Sequence, residues 1–348
     1  MKAIIKRNEG PGLEYAEMPE KSPEPGWLKL KVFAASICGT DIHYNRWDGT
    51  AISFKNQFNV QLPFILGHEC SGEVVEIGQG VSGFKLGDRI SLETHIPCGN
   101  CFQCQNGMAH NCADMGLYGT NVDGCFADYA MTPASVAFKL PGGVSNEEGA
   151  LFEPAGVAMR AVEEGRVLPG DTVLVYGCGP IGLMTVQLLR WCGAAKIIAI
   201  DIDEFRLNMA RKYGVETING LKEDVVKRVL ELASARRGVD VLLELTGSAK
   251  VYADMFDMIR LEGRLVTIGH PGDKVSIDVV KSINFRGIEW KGVFGRRIWD
   301  TWWKLGAMVE AKKIDILDVV THRFRFSEYQ EAFEQVDKGA GKILFVNE

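Results

Sequence analysis

The chain has 348 residues, 46% of them hydrophobic and 24% charged, with a formal net charge of −6. That is length for about two domains of roughly 150 residues and enough to bury a core without disulfide staples, while the mild acidity leaves neither a basic footprint for nucleic acid nor a polybasic membrane patch. No apolar run reaches the roughly 18 residues of a membrane span, and MKAIIKRNEGPGLEY has charges where a signal peptide carries its apolar stretch, so a cytoplasmic protein with reduced thiols is expected.

The first 150 residues read as short strands broken by turns. LKLKVFAAS alternates, and CSGEVVEIG, DRISLE and CFADYAMTP are β-rich and bounded by Gly or Pro. Three stretches here bear chemistry. ICGTDIH brings Cys38, Thr40 and His43, and LGHECSGEVVEIGQGV brings His68 and Glu69. THIPCGNCFQCQNGMAHNC then places Cys98, Cys101, Cys104 and Cys112 at the spacing C-x2-C-x2-C-x7-C. Four soft thiolates so spaced suit one tetrahedral zinc ion. An iron–sulfur cluster and unligated thiols are the alternatives, and nine cysteines, an odd count, argue against a complete disulfide framework. Gly99 and Gly107 allow the tight turns of such a lobe. A closed four-thiolate site has no open position, so its expected role is structural.

LFEPAG adds Glu153, and near residue 170 the rhythm changes. DTVLVYG is a short apolar strand, and PIGLMTVQLLRWCG follows as a helix ending at Gly193. KIIAID, EFRLNMARKYG, VDVLLEL, RLVTIG and IEWKGVFG continue as strand, helix and further strands. Strands alternating with helices predict a parallel sheet covered on both faces. The tail from Arg296 is mixed and ends in the strand-like GKILFVNE, which is expected to pack back onto the first domain.

Between DTVLVY and its helix, GCGPIG holds Gly177, Gly179, Pro180 and Gly182. Strand, loop and helix stand in the order a dinucleotide fingerprint requires. The first Gly makes the turn, the second admits pyrophosphate, and the third lets helix pack on strand. Asp201 ends the second strand near the offset of a ribose-binding acid, and its charge disfavours a 2′-phosphate. NAD is therefore expected over NADP, with Arg206 packing the adenosine half. A nucleotide-free α/β sheet that carries three glycines by chance is the alternative.

Cys38, His68, Glu69 and Glu153 are each unremarkable alone, since a single Cys is usually a small buried hydrophobe. Three protein ligands and an exchangeable position are nevertheless what catalytic zinc requires. Beside a nicotinamide site, zinc would lower the pKa of a substrate hydroxyl, and Thr40 and His43 supply a hydroxyl and an imidazole to relay its proton to solvent.

These motifs together resemble a family. GHECSGEVVEIGQGV fits the zinc alcohol dehydrogenase pattern G-H-E-x2-G-x5-G-x2-V. The order ICGTDIH, GHE, four-cysteine lobe, EPxG, GCGPIG is similar to that of the zinc-containing medium-chain dehydrogenases, and the resemblance covers essentially the whole chain. It implies an α/β protein: a GroES-like β-rich catalytic domain at 1–150 with a structural zinc lobe, a Rossmann domain with a doubly wound parallel sheet at 151–295, and a C-terminal return to the catalytic domain at 296–348. By the same resemblance Cys38, His68 and Glu69 are catalytic zinc ligands and Glu153 is a ligand or relay member. Ile181, Ile268, Gly269, His270, Val293 and Phe294 would lie along NAD. One catalytic and one structural zinc per chain, a small secondary alcohol as substrate, and a homo-oligomer, by analogy a tetramer, are implied as well.

Substrate is less sharply marked. CGTDIHYNRWD, ETHIPCGNC, GRRIWDTWWKL and VVTHRFRF are similar to the threonine dehydrogenase branch of the family, whereas Val157 in EPAGVAMRA is closer to its polyol dehydrogenases. Residues 47–63 form a stretch longer than its threonine-branch counterpart. Arg160 is a carboxylate clamp for an amino-acid substrate or the ion-pair partner of Glu163 or Glu164, and His95 is a second pocket-wall candidate.

Overall fold

A computed structural model describes residues 1–347. The chain divides into two compact units. One comprises Met1–Pro154, Arg296–Lys312 and the residues from Ile316 on; the other comprises Ala155–Gly295 and Lys313–Asp315.

The first unit is built on a seven-stranded sheet. Its strands run in the order Ala137–Lys139, Arg89–Leu92, Glu69–Ile77, Trp27–Ser36, Lys342–Val346 and Val320–Phe324, and Tyr129–Pro133 also pairs with Trp27–Ser36. Leu28, Leu30, Val32, Val74, Ile90, Phe126 and Phe345 fill the core beneath it. The alternation in LKLKV predicts lysines facing water, yet Lys29 is only 3% exposed. Its ammonium reaches Glu20 at 2.6 Å and Glu76 at 2.5 Å and lies 4.9 Å over the Tyr129 ring, so the buried charge is compensated. Register then fixes what matters for function. Ser36 stands opposite Glu69 on one side and Leu344 on the other, which places the tail strand one strand away from the first residue of Glu69–Ile77.

In the second unit all five strand pairings are parallel. The order is Glu216–Asn219, Lys196–Asp201, Thr172–Tyr176, Val239–Glu244, Ile259–Thr267 and Glu289–Gly292. By chain position this is 3-2-1-4-5-6, the doubly wound order whose switch point lies at the carboxyl ends of the two middle strands. The helix Pro180–Trp191 is buried along Gly182 to Leu189. It stops before Gly193, whose φ of 90° needs a residue without Cβ. Among the described residues no helix is long and apolar enough to cross a membrane.

Candidate active site

The GCGPIG loop leaves the strand Thr172–Tyr176 at the switch point. Gly177 has φ 108°, and a Cβ on Gly182 would stand 1.9 Å from the Gly177 carbonyl oxygen, so the turn and the helix–strand approach both exclude a side chain. A Cβ on Gly179 would meet nothing within 4 Å. The second glycine thus faces open space at the start of a helix with Pro180 in its first turn, where N–H groups and the dipole favour a phosphate. Ile181 follows in that turn.

Asp201 is 6% exposed and does more than the sequence suggested. Its Oδ2 accepts the Cys178 N–H at 2.7 Å and its Oδ1 accepts the Asp203 N–H at 2.9 Å, so the carboxylate also ties the glycine loop to the neighbouring strand. Arg206 has Nε 3.7 Å from Asp203 Oδ2. Ile268 and Gly269 donate their N–H groups to the Glu244 carbonyl, and Val293 donates to Thr267. His270 and Phe294 meet edge to face with centroids 6.2 Å apart. These residues gather at the carboxyl ends of strands, where open α/β sheets bind ligands.

In the first unit, the helix α1 (Gly39–Arg46) starts from Cys38, and His68 directly precedes the strand Glu69–Ile77. One donor atom each from Cys38, His68 and Glu69 lies within 4.8 Å of the others. The set is rich in negative charge. Burial pushes the His68 imidazole down, but the Cys38 thiolate and Asp41 outweigh it and lift the pKa to about 10. Such a site calls for a positive charge in the middle, and thiolate, imidazole and carboxylate are all donors that zinc accepts.

Sequence reasoning missed two residues that hold this set together. Asp41, wholly buried, accepts the Cys38 N–H at 2.9 Å and the Gly67 N–H at 3.2 Å, and its Oδ1 lies 3.9 Å from His68 Nδ1. Burial raises its pKa to about 6. Its signal was its place in the first turn of a helix begun by a ligand. Lys342, from the tail strand, is 5% exposed, reaches Glu69 Oε2 at 2.5 Å and donates to the Ile37 carbonyl at 2.8 Å. Ser36 donates to the same Glu69 oxygen. Nothing local in GKILF announces that contact.

Glu153 is not in the three-residue set. Its Oε1 accepts from Thr94 Oγ1 and from Arg296, each at 2.6 Å. Arg296, 2% exposed, also binds both oxygens of Glu93, to which Trp302 Nε1 donates at 2.7 Å. A buried guanidinium and the Thr94 hydroxyl thus hold one oxygen of the carboxylate expected as ligand or relay. His95 is 3% exposed, and burial carries its pKa down to about 4. Thr40 Oγ1 is 4.0 Å from the Cys38 sulfur, and His43 Nδ1 is 2.6 Å from Asp48 Oδ2. Arg160, 3% exposed, donates from Nε to Glu164 at 3.1 Å, the ion pair that its sequence offered.

The four lobe cysteines offer sulfurs that all lie within 4.8 Å of one another. Cys101 is 3.5 Å from Cys104 and 3.8 Å from Cys112. Four thiolates about 2.3 Å from one zinc ion form a tetrahedron with edges of about 3.8 Å. A multi-iron cluster spreads its thiolates over several metals and would hold them further apart. A disulfide would bring two sulfurs to about 2 Å.

Comparison with known proteins bears on both units. Residues 24–142 match the alcohol dehydrogenase GroES-like domain, and residues 180–311 match the zinc-binding dehydrogenase family. The chain is 38% identical over 349 residues to the L-threonine 3-dehydrogenase of Pyrococcus furiosus, covering 99% of this chain and 98% of that one. The fold is similar to the crystal structure of 2R,3R-butanediol dehydrogenase from Bacillus subtilis, with a TM-score of 0.88, 29% identity and coverage of 100% and 99%. A proposed zinc-binding dehydrogenase from Sinorhizobium meliloti 1021, bound to NADP, gives 0.87 at 29% identity and 99% coverage of each chain.

Proposed function

The chain belongs to the zinc-binding dehydrogenases that carry an alcohol dehydrogenase GroES-like domain, and on that premise we propose that it transfers hydride from a secondary alcohol, L-threonine first, to NAD. The observation that carries this reading is the convergence of Cys38, His68 and Glu69 donor atoms within 4.8 Å. Zinc held by these three would supply the Lewis acidity that eases deprotonation of the substrate hydroxyl. A second zinc, bound by Cys98, Cys101, Cys104 and Cys112, fits a closed structural site. Thr40 and His43 take the hydroxyl proton towards solvent. Glu153 serves by fixing Arg296 and Thr94 rather than by ligating metal.

Gly177, Gly179, Pro180, Ile181 and Gly182 cradle the pyrophosphate of the nucleotide, and Asp201 accepts from its adenosine ribose. Arg206 packs the adenosine half, while Ile268, Gly269, His270, Val293 and Phe294 line the remainder. NAD is preferred to NADP because a 2′-phosphate would meet the Asp201 carboxylate.

L-Threonine rests on the identity to threonine dehydrogenases and on the segments they share. One observation favours a polyol, cyclitol or sugar alcohol instead: Arg160 is engaged by Glu164, which removes the guanidinium best suited to clamp a substrate carboxylate. Assay of NAD reduction across L-threonine, 2,3-butanediol, sorbitol, xylitol and myo-inositol decides between them. L-Threonine is expected to give the highest kcat/KM; a faster polyol transfers the assignment to the second reading, and turnover of none refutes both. The protein is proposed to be a cytoplasmic homo-oligomer, a tetramer by analogy. The exposed edge strand Glu289–Gly292, with backbone groups open to pairing, and the nine thiols support those two statements.

A further inference from the structure

We propose that Asp48 is a positioning residue for proton transfer, holding His43 in the tautomer and orientation that the relay needs; this rests on the reading of His43 as a relay member. The geometry is local and unusual in using both carboxylate oxygens on different elements. Helix α1 ends at Trp47, whose left-handed backbone (φ 54°, ψ 47°) folds its N–H onto the His43 carbonyl at 2.8 Å. Asp48 follows in extended conformation and caps the next helix, α2 (Gly49–Gln57), which lies within the stretch that is long for the threonine branch. Its Oδ1 accepts the N–H groups of Thr50 at 3.0 Å and Ala51 at 3.2 Å. Its Oδ2 lies 2.6 Å from His43 Nδ1.

A helix cap needs one acceptor oxygen, and Ser, Thr or Asn would serve. A carboxylate adds something only the histidine uses, namely a charged acceptor at Nδ1. The support beneath it is firm. Ala51 is fully buried, Phe54 and Phe58 pack against the core with ring centroids 5.8 Å apart, and the Lys6 ammonium lies 5.0 Å over the Trp47 ring. Lys6, itself buried, donates to the Gly12 carbonyl at 2.9 Å.

The chemistry follows from the two ring nitrogens. With Nδ1–H donated to Asp48, the lone pair of neutral His43 resides on Nε2. The proton leaving the substrate hydroxyl passes through the Thr40 hydroxyl to Nε2 and then to solvent, and Asp48 neither gains nor loses a proton. Its charge stabilises the imidazolium in between, as the carboxylate does in a Ser–His–Asp triad. Burial pushes the Asp48 carboxyl up, but the His43 contact and the Ala51 and Thr50 N–H groups outweigh it and hold the group below the ordinary carboxylate range.

Asp48→Asn and Asp48→Ser both retain a helix cap and remove the charge, which separates the two roles. Each is compared with wild type and His43→Asn as the zinc-loaded full-length enzyme, on L-threonine, or on 2R,3R-butanediol if wild type oxidises only the diol. Both Asp48 variants should lose about tenfold or more in kcat, with KM for the alcohol and thermal midpoint unchanged, and imidazole added to the buffer should restore much of the loss. Side-chain 15N shifts of His43 should report the Nδ1–H tautomer in wild type and a tautomer mixture in the variants. If His43→Asn turns over at the wild-type rate, the relay reading falls and Asp48 with it. If His43→Asn is slow but both Asp48 variants keep wild-type kcat and tautomer, Asp48 is a helix cap alone and the proposal is overturned. A loss that comes with a lowered thermal midpoint and resists imidazole overturns it equally.

Discussion

Asp201 has an architectural role that leaves room for the recognition proposed for it. Its two N–H contacts, to Cys178 and Asp203, leave lone pairs free on both oxygens, so ribose binding and loop anchoring are compatible. Asp201→Ala is therefore expected to raise KM for NAD by about tenfold or more, on the scale of charge-assisted hydrogen bonds lost, and to narrow the preference over NADP. Asp201→Asn can accept only one of the two N–H groups, because its amide nitrogen donates, so it should disturb the loop less than Asp201→Ala while also narrowing the discrimination. Steady-state kinetics with both cofactors check this, and a wild type that prefers NADP would show that Arg206 outweighs the acid. Residues of this kind were legible because a motif fixes their spacing. Glu153 and Arg160 were harder to read, since each has a partner that no motif gives: Arg296 for the one, which is 143 positions away, and for the other Glu164, one of the partners its sequence offered.

At the scale of elements, the lobe Cys98–Cys112 and the start of helix α1 are two different uses of thiolate chemistry. Four sulfurs that crowd within 4.8 Å would repel as thiolates, so the lobe is expected to depend on a bound ion. Cys38, by contrast, begins a helix tied down through Asp41, and that helix buries Asp41 and Tyr44. Cys38→Ser should abolish turnover and leave the thermal midpoint near wild type, with metal content falling from about two zinc per chain to about one. Cys101→Ser should instead lower the midpoint and solubility. Elemental analysis and calorimetry separate the two, and full activity in Cys38→Ser would refute the assignment of the open site. Strand and helix patterns were legible over much of the second unit, where period and glycine punctuation coincide, although the strand Glu216–Asn219 and the helix Val225–Leu232 were not picked out. They were less so around Lys29 and in residues 47–63, where an ion-paired lysine and a helix anchored by few apolar residues do not follow the usual periods.

Across the whole molecule, the first unit owes its site to segments far apart in sequence. Glu93, Arg296 and Trp302 meet in a buried cluster, and Lys342 reaches Glu69 from the tail strand. The expectation that the tail packs back named the strand but could not name these contacts, because ion pairing across the chain leaves no local pattern. The cluster carries a pH signature. Burial drives the Glu93 carboxyl up, but Arg296 outweighs it and holds the pKa below its ordinary value. A carboxyl depressed in the folded state contributes stability above its unfolded pKa, and that contribution is lost as pH falls through the lower, folded value. Glu93→Gln leaves Arg296 with less compensating charge in a buried place and should cost about 3–5 kcal/mol at pH 7. Wild type and variant should then begin to converge below about pH 4, the ordinary glutamate value, and meet only where folded wild-type Glu93 takes up its own proton at still lower pH. Urea unfolding of both proteins at neutral and acidic pH measures the gap; a gap of equal size at both would mean that Glu93 contributes through shape and hydrogen bonds, not through charge.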